Sequence, residues 1–522
     1  MPFFTDYNSL LQGGSAWHNG SQNITYNFIN GTMPSYYSYD AFDDEYDFGG
    51  YSLPASNDFG LDASEQALML QAIAAWNEVA NTNMVAGGGL ASDINFGSTA
   101  FGDTGLFGFA YFPDPGNLGG GNSLAGDVWL NTDNTSQYIP GVGPAFGHTS
   151  WNTLLHELGH ALGLSHPNND PSNAATPGEF TVMSYLPHTS EAGDSFSNQA
   201  WALTPMVWDI QAIQALYGVD TSTRAGNSVY FGDGGGTSGS AFYQYASSNM
   251  MVTGADGTNR DVILTIWDAG GTDLIDASDL STNSQIDLRP GMFSTIGNTD
   301  NNIAVAAAAE VNGSVINYIE NAWGGSGNDR LFGNATANTL LGNGGNDTLK
   351  GYSGDDELLG NLGKDKLYGG NGSDDLKGNN GKDRLWGDKG DDTLNGNKHN
   401  DKLNGGNGND SLNGGKGNDT LNGGKGKDTL DGSNGNDMLT GGGSADTFVF
   451  SKGADIVTDF NVASSAEVVD LSGVGSITGF NDLVNNHLSE VGGNTIITDQ
   501  AGNTMQLNGI SISDLSASDF IF

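Results

Sequence analysis

Apolar positions along the first part of the chain recur with two periods. Ile24-Thr25-Tyr26-Asn27-Phe28-Ile29 alternates apolar and polar side chains, the pattern of a strand with one buried face. Ile94-Asn95-Phe96 and Asp127-Val128-Trp129-Leu130-Asn131 also read as strands. From Asp62 to Ala80 the spacing becomes helical: Leu68, Ala72, Ala75, Trp76 and Val79 form one stripe, Glu65 lies in the first turn, and Asp62 or Ser64 can cap it. A second helix starts near Thr149 or Ser150 and ends at Gly163. A third is amphipathic, capped, and closed by glycine, running from Thr204 to Gly218. Residues 34–51, rich in Tyr and Asp, read as a surface loop.

Beyond Arg224 the pattern turns glycine-rich, and from Gly324 it is strictly periodic. Fourteen nine-residue copies of the form Gly-Gly-x-Gly-x-Asp-x-Leu-x follow without insertion, restarting at 333, 342 and so on to 441. Position six is Asp in thirteen of them: Asp329, Asp347, Asp356, Asp365, Asp374, Asp383, Asp392, Asp401, Asp410, Asp419, Asp428, Asp437 and Asp446. Asn338 is the exception. Position eight is Leu in every copy but the last, which has Phe448. This is the nonapeptide calcium repeat of RTX proteins. Its glycines let turns expose carbonyls, which with the carboxylates make an all-oxygen shell for a hard cation, while the leucines stack inside. Two repeats make one coil, so fourteen predict about seven coils of a parallel β-roll. Without cation, rows of Asp repel and little apolar surface remains to drive folding. After Asp446 the chain becomes strand-like again, as in Phe448-Val449-Phe450 and Val468-Val469-Asp470-Leu471, the expected cap of a solenoid.

Composition narrows the function classes. At 522 residues the chain needs more than one core. It has no cysteine, which excludes disulfides, thiol catalysis and cysteine-bound zinc. All 17 Lys and Arg lie from Arg224 onward, whereas the 61 acids are spread over both halves, giving a net charge of −44. Such a polyanion is a poor ligand for nucleic acid or anionic membranes, and its natural partners are cations. No run of about 18 apolar residues is present, so no membrane insertion is expected. The first residues, Met1-Pro2-Phe3-Phe4-Thr5-Asp6, lack the basic and apolar regions of an N-terminal signal peptide.

Candidate chemistry concentrates in His156-Glu157-Leu158-Gly159-His160-Ala161-Leu162-Gly163-Leu164-Ser165-His166. His156 and His160 are four apart and share one helix face, Gly163 lets the chain leave the helix in a left-handed conformation, and the turn brings His166 round as a third ligand. Three neutral imidazoles leave a fourth position open, the layout of a catalytic zinc site, with Glu157 placed to accept a proton from water there. The spacing is the metzincin signature.

Met183-Ser184-Tyr185 then resembles the Met-turn of metzincins, and the tyrosine two residues after the methionine resembles the serralysin branch. The resemblance extends over nearly the whole chain, and Leu10-Leu11-Gln12-Gly13-Gly14 with Trp17 resembles the serralysin lead-in. It implies that Met183 packs beneath the zinc, and that Tyr185 is a further zinc ligand which swings away to stabilise the oxyanion. It also implies that 127–131 forms the sheet edge rimming the cleft, where a peptide would add by main-chain hydrogen bonds. Arg224-Ala225-Gly226-Asn227-Ser228 resembles the family's calcium-binding hinge, and Ile266-Trp267-Asp268-Ala269-Gly270-Gly271-Thr272-Asp273 its second half. Carried over by position, Arg224, Gly226 and Ser228 supply carbonyls, Asp268, Gly270 and Asp273 complete the shell, and Glu320 matches a neighbouring calcium ligand. The terminal Asp519-Phe520-Ile521-Phe522 resembles the uncleaved signal read by a type I secretion apparatus.

These observations predict an α+β metzincin-like catalytic domain followed by an all-β parallel β-roll with a C-terminal β cap. The expected organisation is a lead-in with a short propeptide over 1–20, a zinc protease domain over 21–220, a β-rich hinge over 221–323, an RTX roll over 324–449, and a cap with secretion signal over 450–522. The function implied is that of a secreted, extracellular, calcium-dependent zinc endopeptidase, monomeric, with one catalytic zinc and several structural calcium ions, acting on proteins or peptides. The alternative is a non-enzymatic RTX adhesin or surface protein. An RTX lipase has no support, because no Gly-x-Ser-x-Gly nucleophile elbow occurs.

Overall fold

The computed structural model describes residues 10–11, 23–29, 61, 63–87, 92–99, 108–110, 113, 127–131, 149–167, 181–184, 202–232, 251–253, 259–297, 302–312, 314–464 and 466–522. Most of the N-terminal lead-in, the 34–51 stretch and Tyr185 lie outside them. In chain order the first part comprises β1 (Thr25–Phe28), α1 (Ala63–Asn77), β2 (Val85–Ala86), β3 (Ile94–Thr99), β4 (Gly108–Ala110), β5 (Val128–Asn131), α2 (Thr149–Ala161) and α3 (Val207–Tyr217). The strands form one sheet in the order β2-β1-β3-β5-β4, parallel except for β4, which runs antiparallel to β5.

That order corrects one expectation. Strand 127–131 is not the sheet edge: β5 lies between β3 and β4, and the order ends at β4 on that side and at β2 on the other. Gly108-Phe109-Ala110 is only three residues long and shows no alternation, so periodicity does not single it out.

The helices pack through the predicted stripe. Ala72, Ala75 and Trp76 of α1, and Val79 just beyond it, are buried together with Leu154, Leu155 and Leu158 of α2. The two tryptophans also use their indole N–H groups, Trp76 donating to the Leu155 carbonyl at 3.3 Å and Trp151 to the Leu203 carbonyl at 3.0 Å. A buried indole thus costs no unsatisfied donor. Thr204 does not cap α3. Its hydroxyl instead accepts the Thr265 N–H at 2.9 Å, tying the helix approach to the following β region, while the Asp209 carboxylate accepts the Met206 N–H at 2.8 Å.

The second part is a parallel β-solenoid. Leu349 pairs with Leu367 and Leu367 with Leu385, a register of 18 residues, so two nonapeptides make one coil as their pattern predicts. Every position-eight side chain of the fourteen copies is buried. The solenoid is longer than the uninterrupted repeats. One wall has 12 strands and begins with Val229–Phe231 and Leu274–Asp276, continuing through Asn321–Trp323 to Thr339–Leu341. At the other end Val468–Asp470 and Phe520–Ile521 extend it, and an antiparallel meander of Leu488–Val491, Asn494–Thr498 and Thr504–Leu507 closes the second wall. Among the described residues no helix is long and apolar enough to cross a membrane.

Arg224 joins the two parts. Its guanidinium donates to Glu78 at 2.7 Å, next to α1, and to the Trp267 carbonyl, which follows strand Leu264–Ile266 of a small sheet in the second part. Its φ is 52°, an uncommon left-handed backbone for a non-glycine residue.

Candidate metal sites

Helix α2 carries His156, Glu157 and His160, and Gly163 (φ 102°) turns the chain so that His166 faces them. The Nε2 atom of His166 lies 3.1 Å from Nε2 of His156 and 3.1 Å from Nε2 of His160. Among the described residues these three histidines are the one group of three or more His, Asp or Glu whose ligand atoms lie within 4.8 Å of one another. Two ligands about 2.0–2.1 Å from a tetrahedral zinc would stand roughly 3.3 Å apart, so the donor set fits that ion.

The outer nitrogens fix the tautomers. His156 Nδ1 donates to the Val182 carbonyl at 2.9 Å, and His160 Nδ1 to the Leu164 carbonyl at 2.6 Å. A carbonyl only accepts, so in both rings the proton is on Nδ1 and the Nε2 lone pair faces the shared point. Burial, reinforced by the neighbouring His166, pushes His156 down to about 3. Burial also holds His160 well below the ordinary histidine range. Both rings are neutral at neutral pH. Glu157 is 6% exposed, and its burial pushes its carboxyl up to about 8. A dication at the imidazoles would favour the ionised form.

Met183 is fully buried under α2. A Cβ on Gly159 would lie 2.6 Å from its Sδ and 3.3 Å from Trp76, so the glycine between the two helix histidines is what lets the methionine approach. Sequence reasoning missed the residue that holds this turn. Asp209 of α3 is fully buried and receives the Thr181 hydroxyl, the Val182 N–H at 2.8 Å and the Met206 N–H at 2.8 Å. It therefore anchors the residue whose carbonyl orients His156. No spacing rule links 209 to 181; an acid on the apolar side of a helix was the available signal.

The hinge residues are brought together in a different way. Asp273 Oδ1 accepts the Ser228 N–H at 2.7 Å, the Asp273 N–H is donated to Glu320 at 2.8 Å, and the Ser228 hydroxyl donates to the Gly226 carbonyl at 3.2 Å. Asp268 accepts from Tyr230 and from the Gly270 N–H. Asp273 Oδ2 is buried without a hydrogen-bond partner, and burial, with Asp268 and Glu320 nearby, pushes this carboxyl up to about 7. For Arg224 the structure shows the side-chain clamp described above.

In the repeats each position-six Asp accepts through Oδ1 the N–H of the residue one coil earlier, in most copies another Asp, as in Asp329 to Asp347 (2.7 Å), Asp347 to Asp365 (2.8 Å) and Asp428 to Asp446 (2.9 Å). The second oxygen, Oδ2, is buried and unpartnered in Asp347, Asp356, Asp365, Asp374, Asp383, Asp392, Asp401, Asp410, Asp419, Asp428 and Asp437. Beside Gly342, the position of a Cβ would be 2.4 Å from Asp347 Oδ2 and 2.9 Å from the Gly360 carbonyl, so the glycine leaves that oxygen-lined space open. Unpartnered buried carboxylate oxygens beside carbonyls fit calcium. Asp329 differs, since both its oxygens accept backbone N–H groups, from Ser284 at 2.6 Å and Gly325 at 2.8 Å.

The ladder also reaches Asp455, which accepts the Asp437 N–H at 3.0 Å and the Ser451 hydroxyl at 2.8 Å. Gly453, Asp455 and Val457 hold positions four, six and eight of one more copy, a signal present in the sequence. By the same register Gly226-Asn227-Ser228-Val229-Tyr230 and Gly271-Thr272-Asp273-Leu274-Ile275 are degenerate copies, and the hinge is the first two corners of the solenoid.

Comparison with known proteins agrees with this layout. The chain is 31% identical over 352 residues to the metallopeptidase AprA of Pseudomonas marginalis, covering 63% of this chain and 65% of that protein. It is 33% identical over 287 residues to serralysin of Proteus mirabilis, covering 51% and 53%. Against serralysin G of Dickeya chrysanthemi it is 34% identical over 284 residues, covering 52% and 53%. The chain thus spans between about half and 65% of the length of these curated relatives. The family described as Peptidase M10 serralysin C terminal matches residues 220–522, the entire solenoid and its cap, and on that match the chain belongs to the serralysin family.

Proposed function

We propose that this chain is a secreted zinc endopeptidase of the serralysin type, whose solenoid is folded by calcium. One observation carries the reading: three imidazole Nε2 atoms converge on one point, and two of the rings are tied through Nδ1 to backbone carbonyls. Relatives named serralysin and metallopeptidase support it. The first part is then a metzincin-like α+β catalytic domain, with β4 in place of β5 as the edge to which an extended peptide adds.

His156, His160 and His166 hold the zinc. When bound, it supplies Lewis acidity that activates water and polarises the scissile carbonyl. Glu157 takes the proton of the attacking water and passes it to the leaving amine. Tyr185 donates a hydrogen bond to the developing oxyanion. Met183 supports the helix from below at Gly159. Calcium is held by the hinge residues and the Asp ladder, and the substrates are extracellular proteins or peptides. Export runs through a type I apparatus reading Asp519 to Phe522, of which Phe520–Ile521 forms the last strand of one wall. The test is casein hydrolysis by the purified chain. Activity should vanish with a zinc chelator and return on adding zinc, whereas a non-enzymatic surface protein would hydrolyse nothing in either state.

Asp209→Ala should weaken zinc affinity about 10–100-fold, as loss of an outer-shell partner does. It leaves the Val182 and Met206 N–H groups buried without acceptors and frees the carbonyl that aims His156. Competition with a chromophoric chelator reads the change; unaltered affinity would reduce Asp209 to a support of the fold.

A further inference from the structure

The cation ladder along one edge of the solenoid has a break at Asn338, the one position-six side chain of the strict repeats that carries no carboxylate. Pairing of Leu274 with Asn321 and of Asn321 with Thr339 places Asp273, Glu320, Asn338 and Asp356 at successive corners of one column. At Asn338 the side chain is 3% exposed and fully satisfied by protein groups. Its Oδ1 accepts the Asn334 N–H at 2.8 Å, and its Nδ2 donates to the Glu320 carbonyl at 2.9 Å and to Asn334 Oδ1 at 3.2 Å. Reversing the amide would set donor against donor and acceptor against acceptor, so this network fixes its orientation.

Asn334 completes the corner. It is also 3% exposed, donates to the Ile319 carbonyl at 2.8 Å, and accepts the Thr336 N–H at 2.9 Å and the Thr336 hydroxyl at 2.8 Å. Thr336 itself stands where most copies have the position-four glycine. The residues at this corner therefore do not fit calcium: the Asn338 oxygen stands where most copies direct an unpartnered carboxylate oxygen, but it carries no charge and already accepts the Asn334 N–H, while its nitrogen is turned to the Glu320 carbonyl. The rung itself is intact, because the Asn338 N–H still donates to Asp356 Oδ1 at 2.8 Å.

We propose that the Asn334–Asn338 pair takes the place of a cation, so that this corner folds without calcium and divides the column into two separate classes of site. One class is the hinge, around Asp273 and Glu320; the other starts at Asp356. With neighbouring strands about 4.8 Å apart, Glu320 and Asp356 are two rungs or roughly 10 Å from each other, about one Debye length at 0.1 M salt. The coil also rests on a core that needs no ion, since Leu288, Ile319, Ala322 and Leu340 are fully buried around it. Loss of calcium should then melt the solenoid from residue 342 onward and stop at this corner.

Two measurements on full-length Glu157→Gln chain, chosen so that self-digestion does not intervene, decide the matter. Calcium bound at saturation is counted by equilibrium dialysis and atomic emission for the parent and for Asn338→Ala. An alanine neither ligates nor donates, so an unchanged count with a lower melting temperature in chelator is expected. Loss of one bound calcium would overturn the proposal. Hydrogen exchange in chelator should leave the amides of residues 319–341 protected while those of 347–437 exchange. Exchange of both segments in step would equally overturn it. Neither readout depends on proteolytic activity, so failure here leaves the proposed enzyme untouched.

Discussion

Glu157→Gln should lower peptide hydrolysis by at least about 10²–10⁴-fold, the usual contribution of a positioned general base, while bound zinc stays at the parent level. The side chain is nearly isosteric, so the helix face and its three imidazoles are undisturbed. Glu157 is not one of the three residues whose ligand atoms converge. Burial raises the parent carboxyl to about 8, which means that in the metal-free chain its ionisation opposes folding. That contribution to stability is fully present below the ordinary carboxyl range and is lost as pH rises through about 8. The glutamine variant carries no such term, and without metal it should melt no lower than the parent at pH 8.5. Residual activity near the parent level, or loss of zinc from the variant, would remove Glu157 from the role of base.

Stripping calcium at pH 8 should unfold the repeat tract, and acidification to pH 5 should restore part of its strand signal in far-UV circular dichroism. The sign follows from the ladder. Burial, with backbone N–H groups opposing it and neighbouring Asp charges adding to it, raises Asp347 and Asp401 to about 8 and Asp356 and Asp365 to about 7, from an ordinary 3.8. The folded, metal-free roll thus binds more protons than the unfolded chain. Its stability is greatest below the unfolded pKa and falls as pH rises through 6 to 8. Calcium competes with those protons, so its apparent affinity should climb over the same interval. Trypsin offers a second readout, because the first 223 residues contain no Lys or Arg. In calcium the chain should survive, since cleavage requires local opening of the ladder. In calcium-free buffer at pH 8 a large fragment beginning at residue 1 should accumulate while the lysines of the repeats are cut. Identical circular dichroism at both pH values without calcium, or equal digestion with and without it, would contradict a cation-folded roll.

What the sequence reveals depends on whether a residue acts through spacing or through contact. The imidazole triad is a local pattern within eleven residues, and the structure brings its three Nε2 atoms together. The solenoid register follows from a repeat that never slips. Asp209 is invisible to such reading because its partners Thr181 and Val182 are joined to it only by the packing of α3. Strand β4 is too short to carry a period. The outer coils escape for another reason: of their corners only Asp273 keeps the position-six Asp, with Ser228 and Glu320 in the others, Tyr230, Ile275 and Ala322 replace leucine at position eight, and long connections break the nine-residue count. The one substitution at position six of the strict repeats, Asn338, is plain in the sequence, yet only its hydrogen bonds say what it does.

The 18-residue register restricts how this molecule can change length. Successive nonapeptides lie on opposite walls, and Val468–Asp470 and Phe520–Ile521 complete one particular wall. Deleting a single copy would send every later strand to the other wall and leave those closing strands facing the wrong neighbours. Removing two copies would shorten the molecule by one coil and restore every pairing. Gains and losses of repeats are therefore quantised in pairs, and a shortened variant missing 18 residues should fold where one missing nine does not.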